Sequence, residues 1–330
     1  MEQTGEKPNE IFAREKFEYE KAKKKYRDII RQIKPLADLD QLPTPPVNRA
    51  AYSDRMAWVM AQMAKLAYIP YEESDLGVEQ LEYALQSGWF NLMKTFDYKG
   101  TQAFLAKNDE FAVLAFRGTQ PTKWEDVRTD LRALKQKTIE GKVHKGFKEA
   151  FDDVSGEIFD IVDKSIGKDL PLYVTGHSLG AALATVATQE LEEKFHDLIA
   201  ACYTFGSPRV GDGTYEKSIK APVYRIVNTT DIVTLVPFFL GTFMHVGDSR
   251  YLSRSKVDNV YRIYRGIPFV RRTFEAIIEM ILPIFRLRNP FAPWVSAHSM
   301  DIYIEKLENY ANARNTKLNP PPIIQVKQTN

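Results

Sequence analysis

The stretch Leu172–Leu191, LYVTGHSLGAALATVATQEL, constrains this chain more than any other part of it. A short run of β-branched and aromatic residues, Leu172 to Thr175, enters a Gly-x-Ser-x-Gly pentapeptide, Gly176 to Gly180, and leaves as an Ala/Leu-rich segment of helical character. Ser178 therefore stands at a corner between a strand and a helix. So tight a turn can hold a serine with its hydroxyl pushed outward only where its neighbours lack a Cβ, as Gly176 and Gly180 do. The helix that follows aims its unpaired N–H groups and the positive end of its dipole at the same corner, which favours negative charge developing beside Ser178. Small residues Ala181, Ala182 and Ala184 let that helix lie close to the sheet.

A serine hydroxyl is a weak nucleophile and needs a general base, usually His, oriented by a carboxylate. The chain offers His144, His177, His196, His245 and His298. His177 adjoins Ser178 in sequence, but neighbours at such a corner point apart, so it reads as packing beneath the turn. His196 ends a helix, and His144 and His245 stand in strand-like contexts before Gly-containing turns, which marks them as structural. His298 follows Pro290 and Pro293 on an irregular stretch and precedes a helix expected over Met300–Tyr310. Asp231 follows the expected strand Val223–Val227, at the strand end where catalytic groups gather in open α/β sheets. Ser178 as nucleophile, Asp231 as orienting carboxylate and His298 as base give the chain order Ser, Asp, His; Asp248 and Asp212 are weaker substitutes for Asp231. An oxyanion would need two N–H donors, and Leu179, directly after the nucleophile, and Thr119, closing Arg117-Gly118-Thr119, are the candidates. This chemistry requires no metal and no cofactor.

The rest of the chain supplies the frame. Its 45 Lys and Arg against 43 Asp and Glu leave a formal charge of +2, and no polybasic block or zinc-type Cys/His spacing occurs, so nucleic acid is not an expected partner. Cys202, the single cysteine, lies in an apolar run and reads as a buried, inert thiol. Met1 to Glu10 lack the apolar core of a secretory signal, and with the lone cysteine this leads to the expectation of a cytoplasmic protein, in contact with a membrane surface at most peripherally. Residues 1–48 read as a charged N-terminal helical extension and a Pro-rich linker, 49–311 as the main domain, and 312–330 as a disordered tail.

Within the main domain, Tyr52–Tyr68 carries Met56, Val59, Met60, Met63 and Leu66 at helical spacing behind Ser53 and Asp54, both capping candidates. Thr101–Ala106 and Phe111–Phe116 read as a hairpin, Gly146–Ile166 as a helix, and Leu170–Thr175, Leu198–Phe205 and Val223–Val227 as strands. A capping box, Thr122 to Glu125, opens a short helix with Trp124, Val127 and Leu131 on one face. That helix is either a lid over the reactive corner or a surface helix that buries Trp124 permanently. The alternation of strands and helices predicts an α/β domain with a doubly wound, mostly parallel sheet and helices on both faces.

Several ordered pieces resemble one family: Phe116-Arg117-Gly118-Thr119, then Trp124, Val143-His144-Lys145-Gly146-Phe147, and Thr175 to Gly180. Tyr203 to Gly211, Arg225 to Asn228 leading to Asp231, Val236-Pro237, His245-Val246-Gly247 and His298 to Tyr303 continue the series. From Ser53 to Tyr310 the chain is similar to the class 3 lipases of the fungal triacylglycerol-lipase type. The resemblance implies an α/β-hydrolase fold, Ser178, Asp231 and His298 as the catalytic triad, Thr119 and Leu179 at the oxyanion hole, and a lid near Trp124 over an acyl groove. It also implies a lipid ester substrate cleaved through an acyl-enzyme. Acylglycerol hydrolysis leads, phospholipase A1 or galactolipase activity stands as the alternative, and a non-catalytic lipid-binding module as the remaining one.

The stretch Ser253–Pro290 lengthens the approach to His298 beyond the compact family pattern. Within 268–288, Phe274, Ile277, Ile278, Ile281 and Phe285 form a stripe bracketed by Arg271, Arg272, Arg286 and Arg288, too short and too charged to span a bilayer. It is suited either to peripheral contact with a membrane or lipid-droplet surface or to packing on the core.

Overall fold

Ser53 opens the core of the domain: its hydroxyl accepts a hydrogen bond from the Met56 N–H and caps helix α1, Asp54–Leu66, which is buried along almost its whole length. The structure is a computed structural model that describes residues 21, 51–118, 135–138, 141–167, 170–231, 233–235, 243–265 and 296–318, with the backbone alone for 135–138 and 315–318. Of the expected N-terminal helix, Lys21 alone falls among these residues, and it is helical. Thr119, the face of Trp124, Val127 and Leu131, and the stretch 268–288 lie outside them.

Helix α2, Asp75–Gln86, leads into β1, Asn91–Tyr98, and β2, Thr101–Lys107, joins β3, Ala112–Phe116, as the expected hairpin. A small two-stranded sheet, β4 (Lys135–Thr138) with β5 (Gly141–His144), precedes the long helix α3, Lys145–Ser165. Then come β6 (Leu172–His177), α4 (Leu179–Phe195), β7 (Ile199–Phe205), α5 (Gly213–Ser218) and β8 (Val223–Asn228). A short 3-10 turn, Val233–Leu235, the strands β9 (Asp248–Leu252) and β10 (Ile263–Arg265), and helix α6 (Met300–Leu318) complete the order.

The main sheet has eight strands in the order β1-β2-β3-β6-β7-β8-β9-β10. Its centre, β3 to β9, is parallel, while β1, β2 and β10 add antiparallel margins. The expected doubly wound, mostly parallel sheet is what the chain forms. Strands β3, β6 and β7 are buried at every position, as a parallel sheet covered on both faces must be. Side chains alternate across it: Tyr173 joins the core shared with α1, α2 and α6, while Leu172 and Val174 join the core shared with α3 and α4.

Two elements have no strong sequence pattern. Strand β1 lies at a sheet margin and is mostly exposed or half-buried, so its residues carry no clean alternation. Helix α6 runs to Leu318, so the expected boundary at 312 falls inside it rather than at its end. No Gly or Pro interrupts the helix before Pro320, and the Arg314 guanidinium pairs with the Asp54 carboxylate, which ties its last turns to α1.

Candidate active site

The C-terminal ends of β3, β6 and β8 bring the reactive residues together, at the edge where open α/β sheets bind ligands. Ser178 stands between β6 and α4 with φ 60° and ψ −127°, a backbone conformation that costs a non-glycine residue about 1–3 kcal/mol. The main chain over-determines it. Ser178 N–H donates to the Phe205 carbonyl at 2.9 Å, and its own carbonyl accepts from Ala181 N–H at 3.0 Å. Gly180 lies so close to the backbone of Phe116 and Arg117 that a Cβ there would overlap it.

His298 and Asp231 meet as expected. Asp231 Oδ2 accepts from His298 Nδ1 at 2.7 Å, in a pocket where both residues are buried. An ionised carboxylate can only accept, so Nδ1 carries the proton and the lone pair of His298 sits on Nε2, as a general base requires. Asp231 is itself held firmly: Tyr303 O–H donates to Oδ2 at 2.7 Å and Val233 N–H donates to Oδ1 at 2.9 Å. The substitutes considered for it are engaged elsewhere, Asp212 as the cap of α5 and Asp248 with Arg250 and Arg265.

His177 does more than pack beneath the turn. Its Nε2 lies 2.7 Å from the His298 carbonyl and its Nδ1 lies 2.8 Å from the Tyr68 hydroxyl. A carbonyl can only accept, so Nε2 carries the proton, and Nδ1 must accept from Tyr68 O–H. Burial, reinforced by the neighbouring His298, pushes His177 well below the ordinary imidazole range and keeps it neutral. Its ring packs against that of His298, centroids 4.4 Å apart and planes tilted by 36°, so the base rests on the residue that precedes the nucleophile. Nothing within the pentapeptide reveals this role, because Tyr68 and His298 stand 109 and 121 positions away.

The two expected oxyanion donors differ in what is described. Leu179 is the first residue of α4, where N–H groups have no acceptor within the helix. Thr119 lies outside the described residues, but Gly118 before it packs against the His177 carbonyl and the Tyr68 hydroxyl, and a Cβ there would stand 3.1 Å from Ser178 Cβ. The loop leading to Thr119 thus starts beside the nucleophile. Arg117 anchors it: its guanidinium forms a buried ion pair with Glu72, and its N–H donates to the Gln102 carbonyl at 2.9 Å.

Ser178 has no exposed surface and His298 retains 5%. Ser178 Oγ makes no hydrogen bond. The remaining histidines stand apart from this chemistry. His144 ends β5 as the N-cap residue of α3, stacked on Phe147, and burial depresses its basicity. His196 is the C-cap of α4. Burial pushes the Cys202 thiol up to about 12, consistent with an inert group. Among the described residues no group of three or more His, Cys, Asp or Glu is placed to hold a metal ion.

Residues 113–241 match the family model of the class 3 lipases. The chain is 31% identical over 172 residues to a lipase of Rhizomucor miehei, a match covering 48% of this chain and 47% of that protein. It is 30% identical over 177 residues to the chloroplastic phospholipase A(1) DAD1 of Arabidopsis thaliana, covering 47% and 39%. The chain therefore spans about half or less of the length of these relatives. Among solved structures it superposes on lipase II of Rhizopus niveus with a TM-score of 0.55 at 25% identity, over 66% of this chain and 87% of that one. The matched region holds Gly118, Ser178, Leu179 and Asp231 but ends before His298, which the fold returns to the site.

Proposed function

We propose, from the match of residues 113–241 to the class 3 lipase family model, that this chain hydrolyses carboxylic ester bonds of lipids through an acyl-enzyme on Ser178. The observation that carries this is a strained serine corner with the buried pair His298 and Asp231 beside it, the imidazole lone pair on Nε2. His298 takes the proton of Ser178 Oγ as the oxygen attacks the ester carbonyl, and Asp231 stabilises the imidazolium that forms. The carbonyl oxygen becomes an oxyanion that accepts from Leu179 N–H and, in this proposal, Thr119 N–H. Collapse releases the alcohol with the proton from Nε2, and water activated by the same imidazole then frees the fatty acid.

The burial of Ser178 supports an opening step, and the face of Trp124, Val127 and Leu131 is the proposed lid. The stretch 268–288, with its apolar stripe and arginine brackets, is the proposed site of contact with a membrane or lipid-droplet surface. Among the described residues no helix is long and apolar enough to cross a membrane. An acylglycerol is the proposed substrate. A membrane phospholipid is the second reading, because the chain is nearly as similar to a phospholipase A(1) as to a lipase.

The test is intact mass after exposure to an alkyl fluorophosphonate in detergent micelles, followed by release of fatty acid from a panel of acylglycerols, phospholipids and galactolipids. The expected result is one adduct on the wild type, none on Ser178→Ala and a strongly slowed one on His298→Ala. Absence of an adduct on folded wild type in micelles would overturn the assignment.

A further inference from the structure

Lys306 is a lysine where none is needed for solubility. It lies on α6, two turns past His298, with 5% of its surface exposed. Its ammonium donates to Asn228 Oδ1 at 2.8 Å and to the Ser253 carbonyl at 2.7 Å, and it stands 5.1 Å from the centre of the Tyr261 ring. Burial, with Arg254 acting in the same direction and Glu305 against it, brings Lys306 down to about 8. A methionine or leucine would fill such a place without that desolvation, so the ammonium has a task there.

Asn228 shows what the task is. It ends β8 and is wholly buried. Its Nδ2 donates to the carbonyl of Ala297, the residue before His298, at 2.8 Å. Its backbone N–H donates at 3.0 Å to the Tyr303 hydroxyl, the same hydroxyl that donates to Asp231 Oδ2. An amide side chain can present either its oxygen or its nitrogen to a given neighbour. A charged lysine can only donate and the Ala297 carbonyl can only accept, so the two hold the amide in one orientation, with Oδ1 on Lys306 and Nδ2 on Ala297.

We infer that Lys306 is a positioning residue of the reaction: by fixing the polarity of the Asn228 amide it pins the main chain that carries His298 against Asp231. The inference rests on the proposed roles of Ser178, Asp231 and His298. It adds two residues to the site that touch neither substrate nor reacting atoms and act through the peptide before the base.

Two substitutions in the full-length protein test it. Lys306→Met keeps an unbranched side chain, one atom shorter, and removes the donor. Asn228→Asp keeps an acceptor for Lys306 and turns a second acceptor toward the Ala297 carbonyl. Each is measured for kcat and KM on a soluble short-chain ester, for the rate of phosphonylation by the fluorophosphonate, for melting temperature, and for the low-field proton resonance of the hydrogen bond between His298 and Asp231. The expected result for both is a fall of about tenfold or more in kcat and in phosphonylation rate, with KM within about twofold and the low-field resonance shifted or broadened.

Both variants are assayed well below their melting temperatures, where the folded protein is measured, so that a fall in kcat at nearly unchanged KM separates positioning from general destabilisation. Wild-type kcat and an unmoved resonance in folded Asn228→Asp would overturn the inference, and this variant decides the matter should Lys306→Met fail to fold. Failure of the wild type to form an adduct at Ser178 would instead remove the functional reading on which the inference stands.

Discussion

Gly206→Ala places one methyl group between the base and its carboxylate. Gly206 follows β7 with φ +61°, and a Cβ there would stand 2.8 Å from His298 Cε1, 2.9 Å from Asp231 Oδ2 and 3.0 Å from His298 Nδ1. Ordinary contact for such an atom is 3.4–4 Å, so something must give by more than half an ångström. The backbone cannot retreat freely, because Gly206 N–H donates to the Ile226 carbonyl at 3.2 Å. The His298 ring has the tilted His177 ring packed against it, and Asp231 is held by Val233 and Tyr303. The hydrogen bond between His298 and Asp231 therefore takes the strain.

The folded protein should lose about 1 kcal/mol to the left-handed backbone and a further one or two to the overlap. At about 2–4 °C per kcal/mol for a domain of this size, that is a modest fall in melting temperature. Misplacing a catalytic group by as much as an ångström costs roughly 100-fold in rate, and a fall of that order in kcat is expected. The assay is kcat and KM on a soluble ester beside a thermal melt. Gly156→Ala serves as the control, since a Cβ at that position of α3 meets nothing within 4 Å and should raise stability with activity unchanged. A folded Gly206→Ala with wild-type kcat would refute the reasoning that this close approach sets the geometry of the pair.

Tyr68→Phe removes the donor that fixes the tautomer of His177 and leaves Nδ1 buried and unpaired. A loss of about 1–3 kcal/mol in urea unfolding and a fall of several-fold in kcat are expected, and stability equal to the wild type would show that Tyr68 is not the partner that matters. Acid stability should depend on His177, which stays neutral in the fold well below the ordinary imidazole value of about 6.5. As pH falls through about 6.5 the unfolded chain takes up a proton that the folded one refuses, so the stability present above that pH is lost below it, by at most about 1.4 kcal/mol per pH unit for this proton. His144, lowered by its own burial, acts in the same direction. Urea midpoints followed from pH 7.5 to 5.5 should fall more steeply for the wild type than for His177→Phe, and parallel curves would contradict this account.

The corner that holds Ser178 was legible because its placement is written in local chemistry. A strand, two glycines and a helix rich in small residues within twenty positions leave little else for Leu172–Leu191 to be. Asp231 and His298 could be chosen from strand order and chain order, since few histidines competed. The residues that hold them were not legible. Lys306 lies between Glu305 and Leu307 on a charged helix and looks solvated, and only the packing of α6 over β8 and Ser253 buries it. His177 looked like filler because its partners stand more than a hundred positions away. The edge strands β1 and β10, and the short β9 beside β10, carry mixed, partly charged faces and leave no clean period to find.

These observations separate two ways of placing a reactive group. Ser178 is placed by main chain: β6 in register with β3 at Phe116 and Gly176, its N–H on Phe205, and the first turn of α4 closing over its carbonyl. Backbone contacts of that kind tolerate many side chains but demand small residues at the points of closest approach, and so they leave a short, dense signature. His298 is placed by side chains instead: Asp231 on its ring, the His177 ring beneath it and on its carbonyl, and Asn228 on the preceding peptide under the direction of Lys306. Each of those is a single residue on a different element, so their signature is spread over the chain. The family match spans Ser178 and Asp231 and ends before His298.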